Sequence, residues 1–196
     1  FISDELAYLC GVFAGDGSIN YRKKKNEYSL DVGGNPADEK EFYNEVIGPL
    51  FKQIFGFHPI MSQRSSQHTF GFRIYSKALY KFLTEVIGLP SGMKYNKLKI
   101  PQLFLDDIEI LTNFVRGLYD TDGCVTFKKR YKSYPYYPAI NLALKSKRLI
   151  YETADVLRLI GFKINKVYTY KVTDNRLKKG FTITNRIDLN GKKNLK

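Results

Sequence analysis

The chain lacks any run of eighteen apolar residues, which excludes a helix that crosses a membrane. Nor does it open on a basic segment followed by an apolar block, so Phe1 to Glu5 do not read as a secretory signal. An initiator Met is missing too, as it would be from a fragment. Two cysteines, Cys10 and Cys124, are too few for a disulfide framework or a zinc site. That scarcity points to a reducing, intracellular setting: cytoplasm, nucleoid or an organelle matrix. Walker loops, Rossmann glycine patterns and nucleophile elbows are all absent. His58 and His68 have no cysteine or acid at ligand spacing and read as loop or strand residues, while the two cysteines read as space-filling near the motif ends described below.

What is abundant is positive charge. Lys and Arg number 32 against 19 Asp and Glu, a net charge of +13 with an isoelectric point near 9.6. Such an excess repels itself and is usually kept for a polyanion. It is spread along the chain, at Arg22 to Lys25, Lys94 to Lys99, Lys128 to Lys132, Lys145 to Arg148, and Lys178 with Lys179. That distribution suits a folded surface following a phosphate backbone. A solvated basic protein without a ligand is the plain alternative. With 196 residues and 43% hydrophobic content the chain can bury one sizeable core or two small ones.

Internal similarity organises the rest. Leu9 to Gly17 (LCGVFAGDG) matches Val115 to Gly123 (VRGLYDTDG), which sets Asp16 and Asp122 106 positions apart. Gly56 and Phe57 match Gly161 and Phe162 at an offset of 105, and Arg73 with Ile74 pairs with Arg186 and Ile187 at 113. Residues 1–88 read as a first repeat, 89–105 as a connector and 106–196 as a second repeat. Each repeat reads as helix, hairpin, helix, hairpin, helix, giving an α+β fold of two pseudo-symmetric αββαββα repeats.

In the first repeat Ser3 or Asp4 caps a helix with Leu6, Leu9, Cys10 and Phe13 at helical spacing, ended by Gly15 and Gly17. Strands are predicted at 18–24 and 28–34, then a helix from Asn35 and Pro36 that Gly48 and Pro49 kink or break before Phe55. A second hairpin covers 59–64 and 69–75, and Ser76 caps a helix to about Ile87. In the second repeat Asp106 or Asp107 caps a helix bearing Leu111, Phe114, Val115 and Leu118. Strands follow at 125–131 and 139–145, a helix capped by Ser146, and a hairpin at 163–171 and 180–189. The closing helix would start near 190–196, so the second copy is expected to lack it.

Each motif acid sits at the carboxyl end of its helix, where the helix dipole disfavours a carboxylate. A divalent cation accounts for that placement, since Mg²⁺ takes hard oxygen ligands and needs few from protein when phosphate supplies others. Gly11 and Gly117 occupy equal positions in the two helices and permit close backbone approach. Helices packed through them would bring Asp16 and Asp122 to one end, where two carboxylates repel strongly without cations. Metal-assisted phosphodiester hydrolysis fits that arrangement.

The two nine-residue segments resemble the LAGLIDADG motif, and the layout is similar to that of a single-chain LAGLIDADG homing endonuclease over all but the last helix. The resemblance implies motif helices packed at the repeat interface and a saddle of antiparallel strands along a DNA major groove. It implies that Asp16 and Asp122 hold metal, with the backbone carbonyls of Gly15 and Thr121 beside it, and Mg²⁺ (or Mn²⁺ in its place) as cofactor. Asp120, where Ala14 stands in the first copy, is expected to support rather than act, and Arg116 departs from the usual small residue. Similar proteins carry a lysine before the second motif near an Ile–Pro pair. Lys97 fits best, with Lys94 and Lys99 as rivals and a plain basic linker as the alternative. Such a lysine could polarise the scissile phosphate or position water.

Base reading would come from the strands. Alternation puts Ser18, Asn20, Arg22 and Lys24 on one face against Ile19 and Tyr21, and Thr126, Lys128 and Arg130 against Val125 and Phe127. Arg, Lys and Asn suit guanine and adenine edges. Arg64, Arg73, Asn141, Lys145, Asn165, Lys166 and Arg186 are further candidates that could equally face phosphate or solvent. Tyr131, Tyr134, Tyr136 and Tyr137 could also touch phosphates. The leading expectation is a monomeric, site-specific endonuclease that cuts both strands of a long, asymmetric DNA target. An RNA maturase binding its intron RNA, or a silent DNA-binding regulator, are the alternatives on the same scaffold. With no splicing segment flanking it, an intron-encoded or free-standing form is expected.

Overall fold

The computed structural model describes residues 2–64, 68–128, 136–175, 177–191 and 194, and of Lys128 only the main chain. They form two compact units, one of Phe1–Lys94 and Pro101–Thr121, the other of Tyr95–Ile100 and Asp122–Lys196. Arg130, Tyr131 and Tyr134 lie outside the described residues.

The first unit opens with α1 (Asp4–Gly15), where the Ser3 hydroxyl accepts from the Leu6 amide at 3.2 Å and Asp4 and Glu5 fill the first turn. Every residue from Leu6 to Ala14 is buried, so the helix is enclosed on all sides rather than along the single stripe its spacing suggested. Strands β1 (Gly17–Arg22) and β2 (Glu27–Gly34) follow around a 3-10 turn at Lys23–Lys25. Lys24 therefore lies in a turn and not on the strand face expected for it.

The next helix starts later than Asn35, as α2 (Lys40–Phe42), and runs through a π-helical stretch (Tyr43–Ile47) into α3 (Gly48–Phe55). Gly48 and Pro49 neither break nor end it. Widening the preceding turn lets the proline sit in the first turn of α3, where its missing N–H costs nothing. Then come β3 (Ser62–Arg64), β4 (Thr69–Tyr75) and α4 (Lys77–Lys81), capped by Ser76 and continued as a π-helix to Ile87. The sheet order is β1-β2-β4-β3, all antiparallel. Ile19, Leu30, Val32, Phe70 and Phe72 share its buried face.

The motif helix of the second repeat, α5 (Ile108–Asp122), begins where the Asp107 carboxylate accepts from the amides of Glu109 (2.8 Å) and Ile110 (3.3 Å). Up to Thr121 it packs within the first unit, directly on α1. A Cβ on Gly11 would strike the Phe114 carbonyl and lie 2.9 Å from the Leu118 amide. One on Gly117 would strike the Tyr8 carbonyl and lie 3.1 Å from the Val12 amide. Here both glycines are required by main chain lying on main chain. Beside them the Tyr8 hydroxyl donates to Asp120 at 2.7 Å, and Arg116 stands over the Tyr8 ring at 5.4 Å.

The second unit holds β5 (Gly123–Lys128), β6 (Tyr137–Leu144), α6 (Lys147–Leu159), β7 (Tyr168–Thr173) and β8 (Phe181–Asn190), in sheet order β5-β6-β8-β7. Ser146 caps α6 and donates to the Leu98 carbonyl at 2.9 Å. Leu142, Leu144, Ile187 and Leu189 face the core with α6. Val125 and Phe127 lie on the same face, yet are 60% and 67% exposed. In the first unit Ile19 holds the matching place and is 4% exposed, with α4 packed on the neighbouring β2. Among the described residues no helix follows β8 to repeat that cover.

The registers also correct one repeat landmark. Gly17 pairs with Val32 and Val32 with Phe72, whereas Gly123 pairs with Leu142 and Leu142 with Ile187. Arg73 thus corresponds to Asp188, and Arg186 to Gly71. The sequence pairing of Arg73 with Arg186 is off by two residues, a slip that leaves every side chain on its expected face and so escapes periodicity.

Candidate metal site and nucleic-acid face

At the carboxyl end of α1, Asp16 caps the helix with an αR backbone, its amide donating to the Val12 carbonyl at 2.9 Å. Gly17 follows as a glycine because a Cβ there would collide with the Phe13 backbone. The Tyr43 hydroxyl donates to Asp16 Oδ2 at 2.8 Å. Burial and the neighbouring Asp16 carboxylate push the Tyr43 phenol well above its ordinary range. A second acid is here that the motif did not announce. Glu39 accepts from the Asn35 amide, and a Cβ on Gly34 would strike its carboxylate while lying 3.2 Å from Asp16 Oδ2. The bare Cα of Gly34 is thus the floor over which two carboxylates sit. Desolvation, and then the charges of Asp16 and Asp38, raise the Glu39 carboxyl above its ordinary value, against the lowering effect of the Asn35 amide.

Of the three lysines in the linker, Lys94 reaches this end of α1. Its Nζ donates to the carbonyls of Ala14 at 2.8 Å, Gly17 at 2.7 Å and Gly15. An ammonium on these orphan carbonyls caps the negative end of the helix. Lys97 is exposed in a turn of the second unit, and Lys99 is half-buried there. The Gly15 carbonyl expected beside a metal is thus the one that Lys94 holds. Asp122 ends α5, half-buried, and leads directly into β5. The Thr121 hydroxyl bonds back to the carbonyls of Leu118 (3.1 Å) and Gly117 (3.3 Å).

On the outer face of the first sheet Asn20 donates to Ser18 at 2.8 Å, and Arg22 pairs with Glu27 at 3.1 Å while staying half-exposed. Arg64 and Arg73 both bond to Asp31. In the second sheet Thr126 is half-buried, and its hydroxyl reaches the Ala139 carbonyl at 3.4 Å. Asn141 is only 6% exposed, with its amide on the Cys124 carbonyl (3.0 Å) and the Thr126 hydroxyl (3.4 Å). It ties β5 to β6 and does not present a base-reading edge. Arg186 bonds Asp188 at 2.6 Å. Lys145 follows β6, exposed, with its ammonium 4.9 Å from the centre of the Tyr95 ring. Asn165 and Lys166 are exposed but precede β7, so they lie in a loop and not in the strand expected from 163. Tyr136 is exposed and Tyr137 half-buried. Cys10 fills core space as expected, whereas Cys124 is exposed on the sheet.

Comparison with known proteins agrees with this architecture. Residues 109–196 match the family described as a LAGLIDADG-like domain. A Methanocaldococcus jannaschii protein, MJ0398, is 31% identical over 130 residues, 65% of this chain and 41% of its own length. A second from that organism, MJ0314, is 25% identical over 183 residues, 91% of this chain and 62% of the relative. The chain thus spans less than two thirds of either relative. The fold matches the crystal structure of I-DmoI in complex with DNA and Ca at a TM-score of 0.62 and 18% identity, covering 94% of this chain and 82% of that one. It also matches the I-LtrWI LAGLIDADG homing endonuclease bound to target DNA, with a TM-score of 0.56, 12% identity and coverage of 98% and 80%. Residues 109–196 thus carry a LAGLIDADG-like domain, and the chain along its length shares the fold of these structures.

Proposed function

We propose that the chain is a site-specific DNA endonuclease that hydrolyses both strands of an asymmetric duplex as a monomer, with one acid from each unit. The observation that carries this reading is the Asp16 end of α1. There the Asp16 carboxylate shares the floor over Gly34 with Glu39, close enough that its charge helps raise the Glu39 carboxyl. Such an arrangement is wasteful for a protein that only binds, and it fits a divalent ion, which takes hard carboxylate oxygens. Asp16, with Glu39 beside it, would hold such an ion in the first unit and Asp122 one in the second, Mg²⁺ first and Mn²⁺ in its place. A bound ion would activate water and stabilise the leaving oxygen.

The chain's own residues do the rest. Tyr43 orients the Asp16 carboxylate through Oδ2, and Lys94 fixes the end of α1 and supplies positive charge where a phosphate would arrive. Solved relatives that hold DNA with Ca or Mn support duplex DNA and a divalent ion as ligands, and none of these observations favours intron RNA.

The test is cleavage of a plasmid library carrying random inserts. Linear product that needs Mg²⁺ or Mn²⁺, and that disappears in Asp16→Asn and Asp122→Asn, is the expected result. Duplex binding without any nick in either metal would overturn the reading.

A further inference from the structure

Asp31 lies in the middle of the outer face of the first sheet, paired with Ser18 of β1 on one side and Arg73 of β4 on the other. Its side chain is 16% exposed and serves two arginines that are used differently. Arg64 reaches from the edge strand β3 over Gly71 and Gly33, which pair with each other and leave a flat floor. Its Nη1 donates to Asp31 Oδ1 and its Nη2 to the Val32 carbonyl at 3.1 Å, while a Cβ on Gly33 would lie 2.8 Å from that Nη2. Both terminal nitrogens are engaged by protein, and the side chain is 17% exposed. Arg73 gives Nε, at 2.7 Å, and Nη2 to Asp31 Oδ2 and stays 32% exposed. With that edge taken, Arg73 keeps its outer end for a ligand, with the Tyr75 hydroxyl beside the guanidinium as a second protein partner.

We propose that Arg73 reads a guanine in the major groove and that Asp31, braced from behind by Arg64, is the positioning residue that fixes its guanidinium. The inference rests on the duplex-DNA reading above. Guanine offers O6 and N7 to such a fork. A guanidinium already held in place loses little side-chain freedom on forming those bonds. A phosphate contact is the weaker match, because the Asp31 carboxylate would repel the phosphate that Arg73 approached. The second unit carries Asn141 and Asp188 in the matching places, so this guanine belongs to one half of the target.

The full chain is incubated with fully randomised duplexes in Ca²⁺, and bound DNA is sequenced for the wild type and each variant. The wild type is expected to prefer guanine at one position of the first half-site by about tenfold to a hundredfold. Arg73→Lys keeps the charge but not the fork and is expected to erase that preference while leaving the other positions intact. Asp31→Asn is expected to broaden the same position while binding unselected duplex as tightly as the wild type or more so. Thermal melting confirms that each variant is folded, and Arg73→Lys keeps the test decisive if Asp31→Asn is not. Variant profiles that superpose on the wild type at every position would overturn the inference. A wild type that enriches no sequence would instead overturn the reading of a site-specific DNA protein on which it rests.

Discussion

The two units repeat one backbone plan and differ in the residues set on it. In the first, Gly34 leaves room for Asp16 and Glu39 to approach each other; the strand register puts Leu144 in the matching place of the second, 8% exposed and part of the core. Asp31 and Arg73 in one sheet answer to Asn141 and Asp188 in the other. Both units keep what the fold needs, the alternation of apolar residues and the acid at the end of each helix. The polar positions were free to diverge, because the outer face of a sheet adds little to the core. Each acid therefore stands in its own surroundings.

Exchanges at matching positions sharpen this contrast. The largest effect is expected at Gly34. Gly34→Val fills the floor beneath the two carboxylates and should slow nicking of supercoiled plasmid by about a hundredfold, as a displaced catalytic group does, with duplex affinity unchanged by anisotropy. Nicking at the wild-type rate would show that the acid pair is dispensable. At the counterpart, Leu144→Ala should instead cost about 2–3 kcal/mol of stability through an unfilled cavity, read as a lower urea midpoint with an unchanged slope.

Smaller effects follow at the lysines and at Glu39. Lys94→Met leaves the carbonyls of Ala14, Gly15 and Gly17 without their ammonium and should cost about 1–2 kcal/mol, whereas Lys97→Met should leave the melting temperature where it is. Equal losses for both would remove the distinction between them. Glu39 gives the smallest effect. Its folded carboxyl titrates above the ordinary 4.5, so the folded protein keeps a proton that the unfolded chain has released, and stability falls as pH rises through that window. Glu39→Gln should therefore raise the metal-free melting temperature at neutral pH, with the gain fading at or below the ordinary value. A gain that persists in acid would point to a cause other than charge.

Much of this was legible in the amino-acid order. Ser3, Ser76 and Ser146 cap the helices expected of them, and Gly11 with Gly117 marks the close contact of α1 and α5. These are local rules, each readable within a turn or two of chain. What escaped depends on pairing across the chain. Glu39 stands 23 positions after Asp16 (16 to 39) and meets it only because β2 returns antiparallel to β1 and brings Gly34 to the end of α1. The sequence favours Lys97 over its rivals Lys94 and Lys99, yet the path of the linker brings Lys94 to the end of α1. Asn141 alternates as an outward residue should, yet its amide is used up between strands. The landmark at Arg186 slipped because a sheet looks the same every two residues.

The seam of bare backbone between α1 and α5 limits how such a chain can be divided. Nothing along it could repack around a substitute, since the contact at Gly11 and Gly117 is between main chains. Scissors placed at the sequence boundary near residue 105 would strip the leading half of a helix that completes it and leave the trailing half carrying a groove made for something else. A division that respects the packing falls after Thr121, one residue before the second acid, so the repeats expected from the sequence and the compact units of the fold do not coincide.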